Sequence, residues 1–262
     1  MAPSDKLRIA TLGGPGTFAA QAAERFVGDG SLTYLPSAQE EWAALAAGEI
    51  GAFVMLAESS TTGFGELARR AASPDFPYYV LAEQEVPYGC LLLAKPSSGP
   101  ITRILGHGSV AQCKPYLDAH YPGINILTER TSSLDAAAKV AAGDGSLALV
   151  GTAQTAAQFG LEVLARDIDG GAVGRYWLVG REPAFAAAPE RLIVSARVRG
   201  GDALSSAVVQ LAEAGFAVES MAAWPTGTAM FEYDYLLRLN GEGEIEAVHA
   251  AAPNLRLLSA TA

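Results

Sequence analysis

Short apolar runs alternating with capped helix patterns leave the first half of this chain few ways to fold. Arg8-Ile9-Ala10-Thr11-Leu12 reads as a strand and Gly13-Gly14-Pro15-Gly16 as a turn. Thr17 can then cap a helix on which Phe18, Ala22 and Phe26 recur at four-residue spacing. Ser37-Ala38-Gln39-Glu40 is a capping box opening a second helix that Gly48 stops, and 52–56 follows as a buried strand. A strand, a crossover helix and a further strand make the βαβ unit of a parallel sheet.

A second set starts with a strand at 101–105 and passes through a helix around 111–120 to a strand at 124–127. A helix at about 134–142 and a strand at 147–150 complete it. Two α/β lobes thus bracket the segment 78–94, which reads as a crossing strand, and a ligand is expected between the lobes at the strand ends. The periodicity fails near residue 181, where Pro183, Pro189 and a run of alanines mark a linker. Strands and helices then follow in the order βαββαβ, which is ferredoxin-like, in a segment small enough to expect self-pairing. The expected boundaries are a catalytic part at 7–181, a linker at 182–190 and a small domain at 191–262.

A chain of 262 residues that is 50% hydrophobic has the means to bury a core. Its net charge of -10, with no basic cluster, argues against nucleic acid and anionic membrane as partners. The two cysteines, Cys90 and Cys113, lack metal-ligand spacing and read as reduced core thiols. No secretory leader pattern opens the sequence and no apolar run is long enough to span a bilayer, so a cytoplasmic location is expected, with no metal and no cofactor.

The turn Gly14-Pro15-Gly16-Thr17-Phe18-Ala19 matches a dinucleotide-binding pattern in spacing. It fails in context, because the next strand ends at Tyr34-Leu35-Pro36 with no acid to hold a ribose. What it offers is a helix N-terminus, suited to a carboxylate, or simply a turn that Thr17 caps.

Leu12-Gly13-Gly14-Pro15-Gly16-Thr17-Phe18 with Gln21-Ala22-Ala23 resembles the opening motif of the prephenate dehydratase family. Ala57-Glu58-Ser59-Ser60-Thr61-Thr62-Gly63, Ala111-Gln112-Cys113, the run from Ser132 to Ala137 and Gly174-Arg175-Tyr176 are similar to later family segments in the same order. Val218-Glu219-Ser220 and Phe231-Glu232-Tyr233 resemble segments of an ACT domain. The resemblance implies a two-lobed, periplasmic-binding-protein-like catalytic domain, a C-terminal ACT domain, a homodimer and prephenate as substrate.

For the site, the resemblance implies Arg175 and Tyr176 as catalytic residues. Thr17, Phe18, Glu58, Ser59, Ser60, His107 and Gln112 are the implied substrate-binding residues. A guanidinium grips a carboxylate through two parallel hydrogen bonds, and Glu58 can orient Arg175; a surface ion pair is the plain alternative for Arg175. Ser59 to Thr62 can equally cap a helix starting near Phe64, and His107 can be an ordinary loop residue.

The sequence departs from the family where the acid belongs: Gly174 stands at the position of a threonine, Ala172 at that of an asparagine, and Ser59 at that of another. Loss of hydroxide needs a proton, whereas decarboxylation can send its electron pair through the ring diene to a carbon. The expectation is therefore non-aromatising decarboxylation of prephenate, as in the prephenate decarboxylases of specialised metabolism, with dehydration and a non-catalytic sensor as alternatives. Tyr176, Tyr88, His107 and water all stand as proton donors, and Gly174→Thr is expected to move flux toward phenylpyruvate. Met221 and Ala222 replace the Arg-Pro of phenylalanine-sensing relatives, so insensitivity to phenylalanine is expected.

Overall fold

A computed structural model describes residues 7–28, 30–97, 99–128, 133–251 and 255–262; Ser132 of the quoted motifs lies outside them. The chain opens β1 (Arg8–Leu12), α1 (Phe18–Val27), β2 (Ser31–Leu35), α2 (Ala38–Ala47), β3 (Ala52–Ser59), β4 (Gly63–Phe64), α3 (Glu66–Ala72), β5 (Tyr79–Pro87) and β6 (Leu91–Ala94). It continues through β7 (Arg103–Gly106), a 3-10 turn (Gly108–Cys113), α4 (Lys114–His120), β8 (Asn125–Thr128), α5 (Ser133–Ala142), β9 (Leu147–Gly151), α6 (Ala153–Phe159), β10 (Glu162–Ala165) and β11 (Val173–Gly180). Last come β12 (Arg191–Arg199), α7 (Gly201–Glu213), β13 (Phe216–Pro225), β14 (Glu232–Gly241), α8 (Ile245–Ala251) and β15 (Leu255–Thr261).

The local signals act as their chemistry requires. Thr17 and Ser37 cap α1 and α2 by accepting the N–H groups of Ala20 and Glu40, and Gly48 ends α2 in the left-handed region at φ 75°. Three expectations shift. β3 runs on through Glu58 and Ser59, which therefore belong to the strand and do not follow it. α3 begins at Glu66 behind Gly65 with no side-chain cap, so Ser59 to Thr62 cap nothing there. The segment 78–94 is two strands, β5 in one sheet and β6 in another. α6, β10 and β11 were not anticipated.

The residues form two compact units, one of residues up to Gly63 with Gln84–Tyr176, the other of Phe64–Glu83 with Trp177–Ala262. The first sheet has the order β2-β1-β3-β11-β5, with β1 parallel to both β2 and β3. The second has the order β10-β6-β9-β7-β8. Leu91 and Leu93 on β6 face a core with Leu105, Val140 and Leu149, while Leu92 and Ala94 face a second core with Ile104, Leu117 and Val150. Both faces of this sheet are thus covered at its centre, which is why β6 and β9 are apolar throughout. Each leucine so buried contributes roughly 1.5–3 kcal/mol.

In the other unit, β13-β14-β12-β15 form an antiparallel sheet, the ferredoxin-like order that the βαββαβ pattern predicts. Its core gathers Leu192, Leu211, Phe216, Leu237 and Val248. Arg238, only 4% exposed, donates to both oxygens of Glu83 at 2.6 and 2.7 Å, and Glu83 also accepts from Trp177 Nε1. No helix among the described residues is long and apolar enough to cross a membrane.

Candidate active site

The site begins at the β1–α1 turn. Gly13 and Gly16 sit at φ +90° and +88°, where a side chain is strained. The Gly16 carbonyl accepts hydroxyls from Thr152 (2.6 Å) and Thr155 (3.0 Å), at the start of α6, so one lobe's turn is clamped onto the other lobe. A Cβ on Gly14 would fall 2.8 Å from Leu134 Cδ1, which keeps that approach close. The Thr17 hydroxyl donates to Gly14 O at 3.0 Å and accepts from Ala20 N at 3.1 Å. It is a cap; what α1 offers a ligand is its first N–H groups, which have no intrahelical acceptor.

Above this turn lies a cavity of about 270 Å³, walled by Thr17, Phe18, Leu56, Tyr88 and Tyr176. Thr62, His107, Ser109, Gln112 and Ser133 also line it. Five expected residues, Thr17, Phe18, His107, Gln112 and Tyr176, therefore share one cavity. Among its described lining residues none is lysine or arginine. His107 precedes the 3-10 turn without capping it by its side chain, and Gln112 lies within that turn.

Ser59, 2% exposed at the end of β3, does not line the cavity but is tied to it. Its hydroxyl lies 3.0 Å from the Thr61 hydroxyl, which in turn donates to Gln112 Oε1. This chain joins the two lobes. Ser60 faces solvent and pairs with β11, its N–H donating to Val173 O at 2.9 Å and its hydroxyl accepting from Val173 N at 3.0 Å.

Alternate residues of a strand point to opposite faces. On β11, Gly174 and Tyr176 share the buried face and Arg175 takes the other. Arg175 does not line the cavity: its guanidinium bridges Glu58 on β3 and Glu85 on β5, the strands on either side of β11, with Glu85 at 2.6 Å. The pairing with Glu58 is as expected; the second carboxylate was not. One guanidinium against two carboxylates leaves this cluster negative, so a ligand carboxylate gains Arg175 only by displacing one of them.

Around Gly174 the space is filled. A Cβ there would meet Tyr176 Cε2 at 2.9 Å and Leu56 Cδ1 and the Tyr88 hydroxyl at 3.0 Å each. Tyr88 and Tyr176 are 6% and 3% exposed. Burial, the main cause, raises both phenol pKa values, for Tyr176 well above the ordinary value, and both side chains are neutral phenols at neutral pH. Side chains of Tyr176, Gln112 and Ser59 surround the Tyr88 hydroxyl, whose oxygen none of them meets in hydrogen-bond geometry. Sequence reasoning missed Thr61, Glu85, Thr152 and Thr155. Of these, only the Thr152-to-Thr155 pair carries a local signal, a hydroxyl residue at a helix start.

The prephenate dehydratase family model matches residues 9–184. A prephenate dehydratase of Lactococcus lactis subsp. lactis (strain IL1403) is 31% identical over 182 residues, covering 67% of this chain and 64% of that protein. A bifunctional chorismate mutase/prephenate dehydratase of Stutzerimonas stutzeri is 29% identical over 208 residues, covering 77% of this chain and 56% of that protein. The match thus spans less than two thirds of either relative. The crystal structure of prephenate dehydratase from Arthrobacter aurescens in complex with L-Phe superposes with a TM-score of 0.78 at 25% identity, over 97% of this chain and 90% of that one. With a family match running through both lobes and a shared fold over nearly its whole length, the chain belongs to the prephenate dehydratase family.

Proposed function

We propose that this protein is a lyase acting on prephenate and that it removes carbon dioxide without aromatising the ring, giving a dihydro-hydroxyphenylpyruvate. Family membership supports the substrate. The observation that carries the reaction type is Gly174, which has no hydroxyl to protonate a leaving hydroxide and whose surroundings leave no room for one on its own side chain. Losing a placed general acid slows such a step by roughly 10²–10⁴-fold. Decarboxylation needs no acid at the hydroxyl oxygen, because the ring diene carries the electron pair to a carbon that takes the proton instead, so no cofactor is needed as a sink.

In this reading the first N–H groups of α1 hold one substrate carboxylate, aided by Thr17 only through the turn it fixes. Phe18, Leu56 and Tyr176 enclose the ring, and His107 and Gln112 contact its polar groups. Arg175 meets the second carboxylate by exchanging Glu58 or Glu85 for it, and Ser59 and Ser60 set the strand ends that carry these groups.

The test is incubation of the protein with prephenate near neutral pH, following carbon dioxide release and the proton NMR spectrum of the product. Carbon dioxide with olefinic ring protons and a retained carbinol supports decarboxylation. Phenylpyruvate formed well above the uncatalysed rate overturns it in favour of dehydration. Binding of prephenate with no product overturns it in favour of a sensor.

A further inference from the structure

Tyr88 follows β5 directly, its N–H donating to Ala172 O at 3.0 Å, and its ring meets Phe18 edge-on at 5.5 Å between centroids. The side chain lines the cavity and is 6% exposed, yet its hydroxyl oxygen has no hydrogen-bond partner among the described residues. A buried hydroxyl left unpaired carries a penalty that phenylalanine would avoid with the same packing. Such a group has a purpose when a ligand completes it.

We infer that the Tyr88 hydroxyl is the proton donor of the decarboxylation, delivering its proton to a ring carbon of prephenate. The assignment rests on the lyase reading above. Its geometric ground is the gap at Gly174: Tyr88 presents its oxygen 3.0 Å from the missing Cβ, whereas Tyr176 presents a ring carbon there. The hydroxyl of a neighbouring strand end thus fills the volume that a side chain at position 174 would take. The phenol is protonated at neutral pH, the form a donor requires, and burial raises its pKa further.

The bond from the quaternary ring carbon to its carboxylate breaks and carbon dioxide leaves. The electron pair of that bond forms a new ring double bond and displaces the adjacent one. The carbon at its far end, next to the carbinol, takes the proton from Tyr88, and water later reprotonates the phenolate. The carbon–hydroxyl bond is never broken.

The experiment compares wild type, Tyr88→Phe and Tyr176→Phe with prephenate in D2O. Wild type is expected to release carbon dioxide and place one deuterium on one face of the ring. Tyr88→Phe, which removes only that hydroxyl, is expected to keep or raise its melting temperature and to keep its prephenate binding. It should release carbon dioxide at least about 100-fold more slowly, with residual product deuterated on both faces. Tyr176→Phe is expected to keep single-face deuteration. A Tyr88→Phe enzyme with the wild-type rate and single-face product overturns the donor assignment while leaving decarboxylation intact. Phenylpyruvate from wild type overturns the decarboxylation reading and the donor role with it. Should Tyr88→Phe fold poorly, 3-fluorotyrosine at position 88 keeps ring and hydroxyl but is more acidic: the alkaline limb of the rate profile then moves to lower pH, and an unmoved limb overturns the assignment.

Discussion

The Tyr88 hydroxyl lies 3.0 Å from the point at which a side chain on Gly174 would begin, so these two positions cannot be changed independently. A contact of 3.0 Å is tighter than most that a Cβ makes, and the 2.9 Å to Tyr176 Cε2 at the same point is one that real Cβ atoms essentially never show. Gly174→Thr alone is therefore expected to overpack the site, costing about 1–3 kcal/mol, and not to shift flux toward phenylpyruvate as the sequence by itself suggests. Adding Tyr88→Phe removes the oxygen in the way. The double variant is expected to be more stable than the sum of the single effects, by roughly 0.5 kcal/mol or more, in a urea-denaturation cycle. Strict additivity would show that the two positions do not meet.

Arg175 reaches both neighbouring strands from the centre of β3, β11 and β5, and its removal strands two carboxylates that it now neutralises. Glu85 is largely exposed and water screens it, whereas Glu58 is 23% exposed and carries most of the effect. Arg175→Ala is expected to destabilise by about 1–2 kcal/mol and to abolish prephenate turnover and binding. Arg175→Lys, a point charge without the fork, holds one carboxylate at most and rescues little. Adding Glu58→Gln to Arg175→Ala should recover part of the stability but none of the turnover. Wild-type kinetics in Arg175→Ala would remove Arg175 from the site.

What could be read from the sequence was local. Thr17, Ser37 and Gly48 announce helix ends because a cap acts within three or four residues, and the βαββαβ order of the last part follows from its own periodicity. β11 escaped because Gly170-Gly171 reads as a linker and Tyr176 to Val179 is apolar without alternation, being buried on both faces. Tyr88 was one of four possible donors. Its separation from the others needed the approach of two strand ends 86 residues apart in sequence, Tyr88 N to Ala172 O and hydroxyl to the Gly174 gap, and no local pattern encodes that. Arg175 was legible as half of an ion pair with Glu58; its turn away from the cavity follows from strand alternation once β11 is known to be a strand.

In the C-terminal sheet, Met221 is 46% exposed on β13, and Glu219 already faces the Arg238 guanidinium at 3.6 Å. Met221 and Ala222 stand where the ACT segment that this one resembles has Arg-Pro, so the segment lacks that cation. Phenylalanine at millimolar concentration is expected to leave both activity and melting temperature unchanged. A ligand held only by the folded state at 100 times its Kd would add about 2.7 kcal/mol, so even weak specific binding would appear as a thermal shift and contradict this expectation.

Glu41 is fully buried on α2, neither carboxylate oxygen has a hydrogen-bond partner among the described residues, and burial pushes its pKa up from 4.5 to about 8. Below the unfolded-state value both states hold the proton and Glu41 imposes no ionisation penalty. Between roughly 4.5 and 8 the unfolded chain releases the proton while the folded protein keeps it, so the unfolded state binds fewer protons and stability falls as pH rises. The slope approaches about 1.4 kcal/mol per pH unit, which at pH 7 amounts to about 3 kcal/mol. Above pH 8 both states are ionised and the curve levels off. Glu41→Gln keeps the shape but cannot ionise. Relative to wild type it is expected to gain little at pH 5 and most at pH 8, measured as urea midpoints across that range. Other groups titrate in this window in both proteins, so the difference between the two curves isolates Glu41. A difference that stays constant with pH would mean that Glu41 ionises at its ordinary pKa in the folded protein, and so is not sealed from water on α2.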